Sequence, residues 1–193
     1  KKAKKQGVSP KNLKALRAQL FALTQKKPST GSIPSEQQLN SLLEFYQIGQ
    51  ALEAVQLAES ITQEFPAHPF AWKILGAVFK QTGRLSEALV ASQKAVGLAP
   101  QDGEAHNSLG NILLEMGRLD EAEASLRQAI ALKPDSADAH CSLGVTLKAL
   151  SRRDEAEELY KQAILLNQKY PEAHYNLGLI LYEMGRLEDA EAC

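Results

Sequence analysis

Cysteine is nearly absent from the chain. Its two copies, Cys141 and Cys193, stand far apart in sequence, which excludes a disulfide framework and a thiolate metal knuckle and fits a reducing, cytoplasmic setting. Long apolar runs are missing too. No stretch approaches the roughly 18 residues that cross a bilayer, and the Lys-rich start leads into no signal-type apolar segment. No G-x-x-x-x-G-K loop, no H-E-x-x-H and no G-x-S-x-G occurs. Without a phosphate cradle, a zinc-protease helix or a nucleophile elbow, the chain reads as a non-enzyme with no cofactor and no metal. An initiator Met is also lacking and the pattern stops within a helical segment, so the chain is expected to be a piece of something longer.

Acidic residues are absent from the first 34 positions, which carry nine Lys or Arg. The formal total of −1 therefore joins a basic arm, residues 1–34, to a body, residues 35–193, with 13 basic and 23 acidic side chains. In the arm, Ser9-Pro10 starts a helix expected over about 10–26, with Leu13, Leu16, Leu20 and Leu23 on one side and Lys11, Lys14 and Arg17 opposite. A Pro, Ser and Gly linker follows from Pro28 to Pro34. Such a stripe needs burial, over the end of the body or on the acidic body of the same or a second molecule, which makes self-association one expectation. Nucleic acid is a poor partner. The arm has no stacking residue beyond Phe21, and the acidic body repels phosphate.

The body repeats itself. Gly76, Gly110, Gly144 and Gly178 recur every 34 residues, each preceded by Leu75, Leu109, Leu143 and Leu177. Ala88, Ala122, Ala156 and Ala190 hold the same register, as do Ala95, Ala129 and Ala163, while Pro66, Pro100 and Pro134 close successive units. Within a unit the apolar spacing is helical: Leu109, Ile112, Leu113 and Met116, then Leu119, Ala122, Leu126, Ala129 and Ile130 after Gly117. Two helices of about three turns joined by a tight turn are expected. Gly117 suits a left-handed helix end, and Ser35, Asp102 and Ser136 stand at N-cap positions, Gln38 completing a capping box with Ser35.

This register resembles the tetratricopeptide repeat, a 34-residue unit with a W-x-x-L-G-x-x-Y, A, A, P skeleton. Residues 69–102 show it best, with Trp72, Leu75, Gly76, Phe79, Ala88, Ala95 and Pro100. The resemblance implies an all-α, right-handed superhelical solenoid of antiparallel helix pairs. Its units run over 35–68, 69–102, 103–136 and 137–170, with a truncated fifth at 171–193. The Gly-Arg-Leu-Asp-Glu-Ala and Ala-His-x-x-Leu-Gly runs are most like bacterial arrays. The function implied is a non-catalytic protein–protein interaction scaffold that binds a peptide segment of a partner on its concave face. The alternative is the substrate-recognition region of a larger glycosyltransferase or sulfotransferase.

Two units depart from the pattern. Leu42 replaces glycine in the first, which is expected to keep its two helices farther apart and marks an end unit. In the fourth, Ser151 replaces glycine and Gln168 replaces proline, so this unit is expected to be the least regular. The fifth leaves an apolar end around Leu179, Leu181 and Leu187, a second route to self-association.

Only the inner-face positions of the first helices are free to specify a partner. The candidate peptide-binding residues there are Leu39, Asn40, Leu43 and Tyr46 in the first unit, Phe70, Lys73 and Ile74 in the second, and Asn107 and Asn111 in the third. Tyr175, Asn176 and Tyr182 follow in the fifth, with Gln47, Lys80, Gln81, Ser108, Glu115, Lys148 and Glu183 at further inner positions. Apolar residues in the first two units would anchor a peptide and the amides beyond would hydrogen-bond it. Leu43 and Ile74 fit a role as core between units equally well. The basic clamp that some relatives use for a C-terminal carboxylate is absent, since Lys73 has Ala77 beside it and Asp138 and Ser142 fill the basic positions. An asparagine ladder like that of O-linked N-acetylglucosaminyltransferases is incomplete, with only Asn40 and Asn176 on the rung.

His106, His140 and His174 also recur at the repeat interval. Stacked helices lie about 8–10 Å apart, too far for three such rings to share a metal, so packing is the expected role. Cys141 reads as a buried thiol, and the acidic pairs at 120–121, 154–155 and 188–189 as solvated helix starts that offset the dipole.

Overall fold

A computed structural model describes residues 33–191. The basic arm and its expected helix lie outside the described residues, as does Cys193. Among the described residues the helices are α1 (Glu36–Gln47), α2 (Ala51–Glu64), α3 (Pro69–Gln81), α4 (Leu85–Leu98) and α5 (Gly103–Glu115), followed by α6 (Leu119–Leu132), α7 (Ala137–Ala149), α8 (Arg153–Leu166), α9 (Pro171–Glu183) and the short α10 (Leu187–Glu191). There is no strand among them. Each odd-numbered helix pairs with the next, and each pair stacks on its neighbour to build a right-handed superhelical solenoid.

Local chemistry sets the helix ends. Ser35 Oγ accepts the Gln38 amide at 3.2 Å while Gln38 Oε1 accepts the Ser35 amide at 2.8 Å, a complete capping box. Asp102 Oδ1 accepts from Glu104 and Ala105 at 2.9 and 3.1 Å, and Ser136 Oγ accepts from Ala139 at 3.2 Å. At the turn inside a unit the backbone passes through positive φ at Gly83 (76°), Gly117 (72°) and Gly185 (78°). Ser151 takes the same conformation at 64°. Its turn keeps the hydrogen bonds of the glycine turns, from Ser151 N to Lys148 O and from Arg152 N to Leu147 O, both at 2.9 Å. The fourth unit is therefore as regular as the third, with helices of 13 and 14 residues in both. The strain of a left-handed serine stays at one residue, because the turn is held by main-chain groups that any side chain leaves free.

Within a unit the two helices meet at the repeat glycine. A Cβ at Gly110 would stand 2.5 Å from Leu126 Cγ, and one at Gly144 would stand 2.6 Å from Tyr160 Cε1. At Gly76 it would collide with Ser92 Oγ. Ser92, Leu126 and Tyr160 occupy one register position, which in the first unit is Ala58. There the sizes are exchanged: Leu42 holds the glycine position and Ala58 the facing one, and both are fully buried. The helices of that pair do approach less closely along their length than those of the next three.

The core runs down the stack between pairs, from Phe45, Leu57 and Ile61 through Leu75, Val78 and Ile112 to Leu143, Leu147, Tyr160 and Ile180. The first unit differs at two of these positions. Where later first helices bury Ala71, Ala105, Ala139 and Ala173, α1 presents exposed Gln37, and the buried leucine of the later units is replaced by Ser41. Both positions are therefore polar in the first unit, where the later units bury apolar side chains.

Ion pairs link the outer helices. Arg152 Nη1 lies 2.8 Å from both carboxylate oxygens of Glu123, and Arg186 Nη1 lies 2.8 Å from both of Glu157. Each arginine also holds the acid three residues on, Glu155 or Asp189, as Arg84 holds Glu87 and Arg118 holds Glu121. One acid of each helix-start pair, Glu121, Glu155 or Asp189, is thus exposed and also ion-paired. Glu157 is 5% exposed. Hydrogen bonding to Lys161 and Arg186 outweighs burial and holds its carboxyl below the ordinary carboxylate value.

Both the serine turn and the buried acid are open to test. Replacing Ser151 with glycine relieves the left-handed strain and is expected to raise stability by about 1 kcal/mol in urea denaturation. Because the folded pKa of Glu157 is depressed, its contribution is present above the ordinary value of 4.5 and is lost as pH falls through the lower folded value. Glu157→Gln is expected to cost about 1 kcal/mol at pH 7, and the gap from the parent chain to close in melting curves taken from pH 5 down to about pH 3.

Candidate functional site

The first helices α1, α3, α5, α7 and α9 lie side by side along the inner face. A groove of about 600 Å³ crosses three of them. Its lining comes from the last turn of α1 (Tyr46, Gln47), from Ala77, Lys80 and Gln81 of α3, and from Ser108, Asn111, Ile112 and Glu115 of α5. Residues three and four apart on a helix share a face, so the repeat register brings these sets to one surface. Ala77 is small where the same position carries Leu43, Asn111, Val145 and Leu179 in other units, and that difference opens the floor. Lys80 Nζ reaches Glu115 Oε1 at 2.9 Å across α3 and α5, and Lys148 repeats the contact to Glu183 at 2.8 Å across α7 and α9.

Among the candidate residues, Tyr46 and Asn111 meet in this groove. Leu43 and Phe70 are half-buried against the core, and Ile74, 5% exposed, belongs to the core itself. That burial resolves the two roles the sequence leaves open for Ile74. Leu39 is half-buried and Asn40 exposed on α1. Asn107 is half-buried, and its Oδ1 has no hydrogen-bond partner. Lys73 is engaged elsewhere, by Asp102 Oδ2 at 2.9 Å and Glu104 Oε2 at 3.4 Å, with Lys133 holding the other oxygen of Glu104 at 3.0 Å. Burial works against the Asp102 carboxylate, but Lys73 and the capped amides outweigh it and keep its pKa below the ordinary value.

Tyr175 and Tyr182 are exposed on α9, at the far end of the array from Tyr46. A shallower hollow of about 300 Å³ there is lined by His174, Tyr175, Gly178, Leu179 and Ala190. Of the three leucines expected at this end, Leu181 is core, Leu179 is half-buried and Leu187 is exposed. Asn176 points its amide at Cys141 Sγ, 3.8 Å away. Cys141 is buried, and desolvation pushes its thiol up from the ordinary value, which disfavours a thiolate nucleophile.

The recurring rings have a structural task. Trp72 Nε1 donates to the Pro66 carbonyl at 3.0 Å, and the Nε2 of His106 and His174 sits 3.1 and 3.0 Å from the carbonyls of Pro100 and Gln168. Each ring ties a first helix to the segment leading into it. His140 uses Nδ1 instead, 2.9 Å from Ser136 O. No group of three or more His, Cys, Asp or Glu stands close enough to hold a metal ion among the described residues.

Residues 110–151 and 146–185 match the family model of the TPR repeat. No curated protein sequence matches the chain. Among solved structures, TTC0263, a thermophilic TPR protein of Thermus thermophilus, is 26% identical with a TM-score of 0.69, over 81% of this chain and 86% of its own. MamA from Desulfovibrio magneticus RS-1 is 19% identical with a TM-score of 0.72, over 81% and 89%. YrrB, described as a TPR protein with an unusual peptide-binding site, is 18% identical with a TM-score of 0.67, over 81% of each chain. Stacked 34-residue units that close on a glycine match the model of the TPR repeat from the third copy to the fifth, residues 110–185, and the helical stack shares the fold of solved TPR proteins.

Proposed function

We propose that the chain is a non-catalytic interaction module, working in the cytoplasm, whose inner groove holds a peptide segment of a protein partner. The observation that carries this reading is the groove across α1, α3 and α5. It is open, about 600 Å³ in volume, and lined by hydroxyl and amide groups around the small Ala77. Such a surface offers donors and acceptors to a peptide backbone and room for a side chain. The solenoid supports the groove rigidly, because its walls are helices already packed into the core. The peptide-binding site described for YrrB adds support by analogy of fold. Among the described residues no helix is long and apolar enough to cross a membrane.

The test uses peptides selected from a displayed random library against the chain. Gln47→Ala, Gln81→Ala and Asn111→Ala change side chains on the groove wall, and substitutions of this kind typically move stability by no more than about 0.5 kcal/mol. Combined, they are expected to weaken a selected peptide about tenfold or more by fluorescence polarisation, with the melting temperature nearly unchanged. Gln93→Ala on the exposed side of α4 is expected to leave binding as it was. Undiminished binding in the triple variant would overturn the reading.

A further inference from the structure

The groove lining contains two charged side chains, Lys80 and Glu115, and they face each other at 2.9 Å. Among the described residues, the inner-face lysines Lys73 and Lys148 are engaged in the same way. Lys73 is held by Asp102 and Glu104, and Lys148 by Glu183 at 2.8 Å, which Arg153 at the start of α8 also approaches at 3.8 Å. Each of these pairs joins a side chain of one unit to the next unit or to its cap. No ammonium group of the groove is left for a carboxylate of a ligand. What remains to meet a partner is uncharged: the hydroxyls of Tyr46 and Ser108, the amides of Gln47, Gln81 and Asn111, and the apolar floor at Ala77.

We infer that the groove selects an uncharged segment of its partner, hydrogen-bonded by the amide and hydroxyl groups, with a small or apolar side chain over Ala77. The inference rests on the groove being the peptide site. An acidic segment would set a second carboxylate beside Glu115 around a single ammonium group. A basic segment would set a second cation beside Lys80. Either arrangement places like charges together, so the Lys80–Glu115 pair discriminates against charged ligands of both signs. Amide side chains carry donors and acceptors together and match the alternating N–H and C=O groups of an extended backbone. The acidic body as a whole would otherwise draw basic peptides by long-range attraction, and the local balance in the groove removes that preference at the point of contact.

A displayed random peptide library is panned against the parent chain, Glu115→Gln and Lys80→Met, each checked for helical content by circular dichroism. The parent is expected to enrich peptides without Asp, Glu, Lys or Arg in the segment that Gln81→Ala weakens. Glu115→Gln frees Lys80 and is expected to shift enrichment towards Asp and Glu. It should bind an Asp-bearing form of a parent-selected peptide about two- to fivefold more tightly than the parent does. Lys80→Met frees Glu115 and is expected to shift enrichment towards Lys and Arg. Charged residues enriched by the parent, or an unchanged preference in both variants, would overturn the charge selection while leaving a peptide site in place. A library that yields no peptide sensitive to Gln81→Ala would overturn the peptide site itself, and the charge selection with it.

Discussion

The repeat unit depends on two helices crossing where one of them has no side chain. At Gly76, Gly110 and Gly144 the backbone of the first helix meets Ser92, Leu126 and Tyr160 of the second at distances that leave no room for a methyl group. Close-packed interiors transmit such a constraint, since a helix pushed aside at one contact shifts every residue on its buried face. The facing residue varies from hydroxymethyl to phenol ring, yet the third and fourth units keep identical helix lengths. The first unit satisfies the same demand with the volumes exchanged, Leu42 against Ala58. One small and one larger side chain per crossing is thus the constant along the stack, and glycine is the commonest way to supply the small one.

Fixing the crossing fixes which residues are left over. With the inter-helix face and the inter-unit face committed to packing, the inner face is where sequence varies between units, and the groove is made by one such variation, Ala77 among larger neighbours. Stacking also brings each inner lysine within reach of an acid on the following unit, so charge is balanced between units rather than within them. The outer helices show the same logic at Glu123 and Glu157, where an arginine of the next unit completes the pair. In the two earlier units that position holds Val55 and Leu89, which pack into the apolar core instead. Pairs of this kind couple neighbours without covering the inner face, which leaves the groove open to a partner.

Much of the architecture was legible in the residues because the 34-residue register is itself the consequence of stacking. The helix pairs, the caps at Ser35, Asp102 and Ser136, and the left-handed turn at Gly117 all follow from local chemistry and appear as expected. The packing role of the histidines was legible as well, since their place in the unit is that of Trp72, although the carbonyl each ring contacts was not. The irregularity expected at Ser151 is absent, because hydrogen bonding through the main chain tolerates a serine there. The site was harder to read. Lys73 looked free because its acidic partners lie 29 and 31 residues away, and no short-range pattern signals a contact of that separation. Ile74 shares helical spacing with both the inner face and the core, and spacing alone does not separate them. Ala77 was overlooked as the groove floor because an empty volume is carried by the absence of atoms, visible only against its larger register mates.

The complementary-volume rule at the crossing can be tested by rebuilding the first unit's solution inside the fourth. Gly144→Leu alone forces a leucine against Tyr160, and Tyr160→Ala alone leaves a cavity that costs about 3–5 kcal/mol by analogy with other aromatic deletions. In a double-mutant cycle followed by urea denaturation, the account predicts that the two changes together are more stable than the sum of the single losses by at least about 1 kcal/mol. Losses that simply add would mean that the two positions do not share one volume, and would contradict the claim that this crossing governs the unit.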